Sequence, residues 1–275
     1  MRSLAEEIIE LRQISIRRSC RLLKLNRGTY RYTFKRKNDT EIIDLLQRLS
    51  EKWPRWGFRK MYDWLRYEGQ GWNHKKIRRI YREMKLHIRI RPKKRLPSRH
   101  PQVLSVPNKL NDSWSMDFMA DGLSTGKAFR TLNIIDDYNR EVLAIEVEYS
   151  FPAARVVRVL NQVVEERGYP RQIRVDNGPE FISTRLRHWA IEHDVKLEHI
   201  QPGKPAQNAY IERFNRTFRE DILNMYMFRN LTDVRDLSTK WMIDYNDFRP
   251  HTALGGIPPK AVCFSIEKFP VLTGT

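Results

Sequence analysis

Cysteine is nearly absent: Cys20 and Cys263 are the only two among 275 residues. They lie far apart and match no metal spacing, which excludes a disulfide framework and a Cys-based zinc site. Long apolar runs are also lacking. Charges interrupt every apolar stretch well before the roughly 20 residues that a membrane span needs. The opening MRSLAEEIIELRQ has no uncharged apolar region and so does not read as a signal peptide. Internal repeats and low-complexity tracts are missing. Acids are in short supply, 33 Asp plus Glu against 51 Lys plus Arg, for a net charge of +18. The chain does have enough apolar material to fold, 40% hydrophobic and 11% aromatic. These features predict a soluble protein of a reducing cytoplasm with two or three small domains and no membrane partner.

The charge is unevenly placed. Residues 1–110 hold 30 Lys/Arg and 10 Asp/Glu, whereas residues 111–275 hold 21 and 23. A basic front and a near-neutral back imply a polyanion-binding region ahead of a separate domain. Anionic membrane competes as a partner for a basic segment. The front, however, carries helical apolar periodicity and many aromatics, which suits folded DNA-binding modules better.

In the first segment, 1–37, Leu4, Ile8 and Leu11 recur at helical spacing. Ser15 is placed to cap a second helix through Cys20 and Leu23. Asn26-Arg27-Gly28 reads as a turn before the basic-aromatic Thr29-Tyr30-Arg31-Tyr32. This resembles a small helix-turn-helix, with an oligomerising helical hairpin as the alternative. A second helical region spans 38–95. Ile42, Leu45, Leu46 and Leu49 form one stripe, and Phe58, Met61 and Leu65 another, broken at Gly69-Gln70-Gly71. Asn73 can cap a helix with Ile77, Ile80, Tyr81 and Met84 on one face. Its other face carries Lys75, Lys76, Arg78, Arg79, Arg82 and Lys85, with only Glu83 opposing them. Such a helix suits phosphate tracking or groove entry.

Residues 96–112 read as a basic, Pro-rich linker, and 113–262 as a second domain with a tail, 263–275. Within the domain, Trp114, Met116 and Phe118 alternate with Ser115 and Asp117, as in a strand. TLNIIDDYN and EVLAIEVEYS predict two further strands with a turn at Asn139-Arg140. A helix comes next, with Pro152 near its start and Gly168 at its stop. RQIRVDNG, STRLRHWAIEHDV and KLEHIQP predict strand, helix and strand. KPAQNAYIERFNRTFREDILNMY predicts a long helix with the core stripe Ile211, Phe214, Phe218, Ile222 and Met225. The order β-β-β-α-β-α-β-α implies an α/β domain with a mixed five-stranded sheet and flanking helices.

Three acids occupy unusual positions. Asp117 sits mid-strand among apolar residues, where an acid is costly unless paired or bound to a cation. Asp176 ends a strand just before Asn177-Gly178, a usual ligand position. Glu212 shares a polar stripe with Asn208, Asn215 and Arg219 on the long helix. Three converging carboxylates would select a hard cation such as Mg²⁺ or Mn²⁺. Composition alone does not separate these acids from Asp136, Asp137 and Glu180, which read equally well as surface or salt-bridged groups.

WSMDF, RVDNGPEF, QPGKPAQNAYIERFNRTFRED and WMIDYNDFRPHTALGGIPP resemble the catalytic core of bacterial insertion-sequence transposases of the second-frame (OrfB) type. That family lies in the retroviral-integrase-like DDE superfamily, whose core is ribonuclease H-like. The 35 residues between Asp176 and Glu212 fit its D,D(35)E pattern. Residues 38–95 resemble the helical DNA-binding region that precedes this core. The resemblance implies that Asp117, Asp176 and Glu212 ligate two Mg²⁺ ions, with Mn²⁺ a possible substitute, and that Arg219 lies near transposon-end DNA. It leaves Tyr245, Asn246, Arg249, Pro250 and His251 without a role. The chain departs from the family in having Arg213 where Ser is common after the Glu, and it has no His/Cys zinc module of the retroviral kind.

The function so implied is a DNA transposase that nicks element ends with water and joins the 3′-hydroxyl to a target phosphodiester. Its partners would be duplex DNA at the transposon ends and target, further copies of itself (at least a dimer) and a first-frame (OrfA) product or fusion. Its place would be the bacterial nucleoid. Two alternatives stand beside it: a metal nuclease or resolvase on the same fold, and a DNA-binding regulator with a relic core. The YN…RPH block and the D,D(35)E gap argue against the first, and an intact triad against the second.

Overall fold

The computed structural model describes residues 1–33, 39–88, 107–201 and 208–265, with side chains as far as Cys263. Most of the expected Pro-rich linker, the KPAQ entry to the long helix and most of the tail lie outside these residues. The chain divides into two compact units, Met1–Leu45 and Leu46–Thr275.

The first unit holds α1 (Arg2–Arg12), α2 (Ile16–Leu22) and α3 (Arg27–Arg31). Ser15 caps α2 by accepting from the Arg18 amide. Asn26-Arg27-Gly28, expected as a turn, instead opens α3: Asn26 Oδ1 accepts from the Gly28 N–H at 2.7 Å. An Asn side chain that satisfies a free first-turn amide stabilises a helix start. The expected stripe also differs. Leu4 and Leu11 are exposed and Ala5 is fully buried, because α1 turns its small residue toward α2, where Ser19 Oγ donates to the Ala5 carbonyl at 3.0 Å.

Helices α4 (Thr40–Lys52), α5 (Phe58–Tyr67) and α6 (His74–Glu83) come next. Met61 and Leu65 of α5 and Ile77, Ile80 and Tyr81 of α6 are buried. Gly69, at φ 81°, takes the left-handed conformation that ends α5, and Asn73 caps α6 through the Lys75 amide at 2.8 Å. Trp53 stacks on a buried Trp56 with centroids 4.1 Å apart.

The sheet comprises β1 (Ser113–Gly122), β2 (Ala128–Asp136), β3 (Val142–Glu148), β4 (Gln172–Val175) and β5 (Lys196–His199), in the order β3-β2-β1-β4-β5. The first three strands are antiparallel; β4 and β5 run parallel to β1. Parallel neighbours need crossover helices. These are α7 (Ala153–Arg167), ended by Gly168 at φ 76°, and α8 (Thr184–Glu192), capped by Ser183. Because side chains alternate along a strand, Trp114, Met116 and Phe118 pack with Val156, Leu160 and Trp189 on that side. Met119, Phe129 and Ile135 face the other way, toward Ile211, Phe214 and Phe218 of α9 (Ala209–Phe218).

The long helix is interrupted by a π-helical turn over Arg219–Leu223. Wider winding there rotates the residues beyond it, so Leu223 is buried and Met225, expected in the stripe, is 46% exposed. A further helix, α10 (Leu231–Asp247), adds to the expected order and covers the same side of the sheet. Its buried face includes Ser238 and Asn246, which dilute its apolar periodicity. Among the described residues no helix is long and apolar enough to cross a membrane.

Asn246 fixes the sheet's outer edge. The β2–β3 register shifts at Ile134/Ile135, leaving Leu143 as an extra residue on β3. At that point Val142 donates its N–H to Asn246 Oδ1 at 2.9 Å and accepts from Asn246 Nδ2 at 2.9 Å. The amide thus replaces the neighbouring strand that an edge lacks. Asn246→Ala should cost about 2–4 kcal/mol, since it strands a buried donor and acceptor. Asn246→Asp, which keeps the acceptor only, should not recover wild-type stability. Urea unfolding checks both, and an Asn246→Ala midpoint equal to wild type would remove the clamp from the account.

Candidate active site

Asp117 lies on β1 opposite Asn133 of β2, on the α9 side of the sheet. Its Oδ1 accepts from the Phe118 amide at 2.8 Å, and its Oδ2 accepts from Asn215 Nδ2 at 2.7 Å. Asn215 Oδ1 accepts in turn from Asn133 Nδ2 at 2.7 Å. Asn133 and Asn215 are both buried, so the three side chains form a polar seam in an apolar interface.

Asp176 comes directly after β4. The last β1–β4 pair is Ser115 with Arg174, and two residues further the register brings Asp117 and Asp176 level. Asp176 Oδ1 accepts from the Gly178 N–H at 2.9 Å. A Cβ at Gly178 would stand 3.0 Å from that oxygen, which explains the glycine. Asn177 Nδ2 donates to the Ile200 carbonyl at 2.9 Å, tying the loop to the end of β5. Glu212 is exposed in the first turn of α9. It precedes Asn215 by one helical turn and so shares its face.

Burial raises the Asp117 pKa to about 6, and the charges of Asp176 and Glu212 push the same way, against the Phe118 and Asn215 hydrogen bonds. Asp117 therefore lies in the fields of the other two acids. The three do not close into a ligand cluster: among the described residues, no group of three His, Cys, Asp or Glu is placed to hold a metal ion. By donor chemistry the set fits a hard cation, being all oxygen and carrying unrelieved negative charge.

The other candidate acids have structural partners. Asp136 is fully buried rather than at the surface: it accepts from the Asn111 amide at 2.9 Å and the Tyr138 amide at 2.7 Å. Asp137, also fully buried, accepts from Ser113 and Ser115 hydroxyls and from Arg174. Burial lifts its pKa to about 6. Glu180 pairs with Arg130.

On α6, Lys75, Arg78, Arg79 and Arg82 are exposed and Lys76 is half-buried; Lys85, also exposed, lies just past the helix end at φ 56°. Arg79 pairs with Glu83 at 2.9 Å, and Arg78 sits 5.9 Å from the Phe58 ring centroid. Arg219 is held at the end of β1, donating to the Ala120 carbonyl at 2.9 Å and to Asp121 Oδ2 at 3.2 Å.

Integrase core domain models match residues 107–205 and 193–259, and an HTH-like domain model matches 37–95. The insertion element IS476 39.2 kDa protein of Xanthomonas euvesicatoria is 40% identical over 94% of this chain and 75% of its own length. The IS407 31.7 kDa protein of Burkholderia multivorans is 39% identical over 90% of this chain and 89% of its own. The chain belongs to the integrase-core transposase family of bacterial insertion elements. The putative transposase InsK of IS150 from Escherichia coli is a more distant relative of this transposase, 24% identical over 87% of the chain and 90% of its own length. A solved HTLV-2 integrase catalytic core domain in complex with magnesium covers 56% of the chain and 96% of its own, with 15% identity and a TM-score of 0.42.

The raised Asp117 pKa has a stability consequence. Its folded pKa of about 6 lies above the ordinary 3.8, so the folded state holds the proton more tightly, and stability falls as pH rises from about 4 to about 6. In metal-free buffer, Asp117→Asn should match wild type near pH 4 and exceed it at pH 7 by about 1–3 kcal/mol. Urea unfolding across that range reads the difference between the two proteins, in which the similar Asp137 contribution cancels. A pH-independent difference would show that Asp117 is not strained by charge.

Proposed function

We propose that this transposase nicks the ends of its insertion element and joins the freed 3′-hydroxyl to a target phosphodiester, with Asp117, Asp176 and Glu212 holding two Mg²⁺ ions or, in substitution, Mn²⁺. The observation that carries the reading is Asp117, a desolvated carboxylate in mid-sheet, in the fields of Asp176 and Glu212. Two divalent ions bound by such acids activate the attacking oxygen and stabilise the leaving one. The chain's own part is positional. Asn215 fixes the Asp117 carboxylate from one side, the Gly178 amide orients Asp176, and the first turn of α9 presents Glu212.

DNA is gripped by the helical region 38–95, through Lys75, Lys76, Arg78, Arg79, Arg82 and Lys85, and handed to the catalytic core, 113–262, where Arg219 stands beside the end of β1. Segment 1–37 extends the basic front; 96–112 links and 263–275 trails. Holding two ends together calls for at least a dimer, and a first-frame product or fusion completes the assembly. The working place of such a protein is the bacterial nucleoid.

Incubating the full chain with Mg²⁺ and a labelled end fragment tests the chemistry. Asp117→Asn, Asp176→Asn and Glu212→Gln should each lose nicking and joining together, by at least about a hundredfold, or about 2.7 kcal/mol of barrier. End binding should persist. Glu180→Gln should keep most activity, because its partner is Arg130. The triad assignment fails if Glu212→Gln still nicks and joins while Glu180→Gln does not.

Changing Lys75, Arg78, Arg79 and Arg82 together to Glu should abolish binding of the end fragment and flatten its salt dependence, since each lost phosphate contact removes about 0.9 from the log–log slope. The fold should survive, as the buried face of α6 is Ile77, Ile80 and Tyr81. Retained binding by a folded variant would make this face mere solvated surface.

A further inference from the structure

Alongside α9, off the face that carries Glu212 and Asn215, lies a cavity of about 450 Å³. Its polar wall is Lys60 of α5, Arg140 of the β2–β3 turn, Tyr210 and Arg213 of α9, and Arg249 and His251 beyond α10. Among the described residues no Asp or Glu lines it. Arg249 is neutralised by Asp221. Arg140 lies over the Tyr210 ring at 3.5 Å, yet its Nη1 is buried without a partner among the described residues. The same is true of His251 Nε2. Burial, reinforced by Arg249 and Arg213, lowers the Lys60 pKa to about 8.

Lys60 and Arg140 are half-buried and Arg213 is exposed; partly desolvated cations and buried unpaired donors carry a cost that a bound anion relieves. Lysine and arginine donors around a pocket of ligand size are the recognition chemistry of a phosphoryl group. Burial also holds His251 neutral, with a pKa of about 3, so in its Nε2–H tautomer it adds a donor and no charge.

We infer that this cavity is a phosphoryl-binding site, in which Lys60, Arg140 and Arg213 neutralise the oxyanion and His251 Nε2 donates to it. It is separate from the three acids and stands or falls independently of them. The phosphoryl group can come from a small soluble phosphate or from a DNA phosphate at the protein surface.

Thermal unfolding and calorimetry of the full chain, at constant ionic strength in chloride, test this with three probes: inorganic phosphate, dAMP and a 5′-phosphorylated duplex. Lys60→Met and Arg140→Gln are the variants. Because each removes a cation that has no ion pair among the described residues, each should unfold in chloride close to the wild-type midpoint, which separates lost binding from lost folding. Each should weaken the bound probe by roughly tenfold or more, the worth of one charge-assisted hydrogen bond. Weakening of phosphate and dAMP identifies a soluble source; weakening of the duplex alone identifies DNA. Wild-type and both variants binding all three probes equally, or phosphate and duplex gaining nothing over chloride at Lys60 and Arg140, overturns the site.

Discussion

A carboxylate in the middle of a sheet, with packed apolar rows beside it, must be held by hydrogen bonds or lose its charge. Asp117 sets that condition for the catalytic half of the chain. Its Oδ2 depends on one side chain, Asn215, whose own oxygen is committed to Asn133. The seam therefore requires α9 to lie across β1 and β2 at one axial position. Ile211, Phe214 and Phe218 drive that docking from the same helix, so the apolar stripe supplies the adhesion and the asparagine the register. Glu212, one turn before Asn215, is placed by the same contact.

The chain after α9 secures this arrangement. The π-helical turn brings Asp221 to Arg249 and to Trp241 Nε1. Trp241 and Tyr245 pack against Phe214, and Asn246, the next residue, clamps the edge strand at Val142. His251 meets the Tyr245 ring edge-on and pairs through its backbone with Ile257. The residues of the YN…RPH block thus have mostly structural work: they pack beside α9 on the same face of the sheet and cap its β3 edge. Arg249 and His251 do so at the rim of a cationic cavity, and there packing alone leaves donors unmet.

The strand and helix order of the core was legible because alternation and capping signals agree there. Trp114, Met116 and Phe118 alternate as they pack, and Gly168, Ser183 and Asn73 stand at helix ends where backbone chemistry wants them. What escaped had local causes. Asn26 serves a turn and an N-cap equally well, so α3 was hidden in an apparent turn. Ala5, not Leu4 or Leu11, is the buried residue of α1, because close helix approach favours a small side chain over an apolar one. The π turn has no composition signal, and it moved Met225 out of the core. Within the site, Asp176 and Glu212 stood out only through the resemblance to the family's D,D(35)E pattern, and no sequence pattern distinguished Asp136 as a buried turn acid or assigned Asn215 its partner. Those facts depend on which strands meet.

The basic front is also less uniform than its charge implies. Arg79 is paired with Glu83 on the same helix, Lys76 is half-buried, and Arg78 is drawn toward the Phe58 ring. An i,i+4 pair on an exposed helix is worth only about 0.3–0.5 kcal/mol, so a phosphate can displace Glu83 at little cost. Lys75, Arg78 and Arg82 recur at helical intervals on that exposed face. The Arg219–Asp121 pair at the end of β1 has the same form, an arginine parked on an acid beside the carboxylate seam. In both places an acid orients the cation, and the acid keeps part of its side chain in solvent.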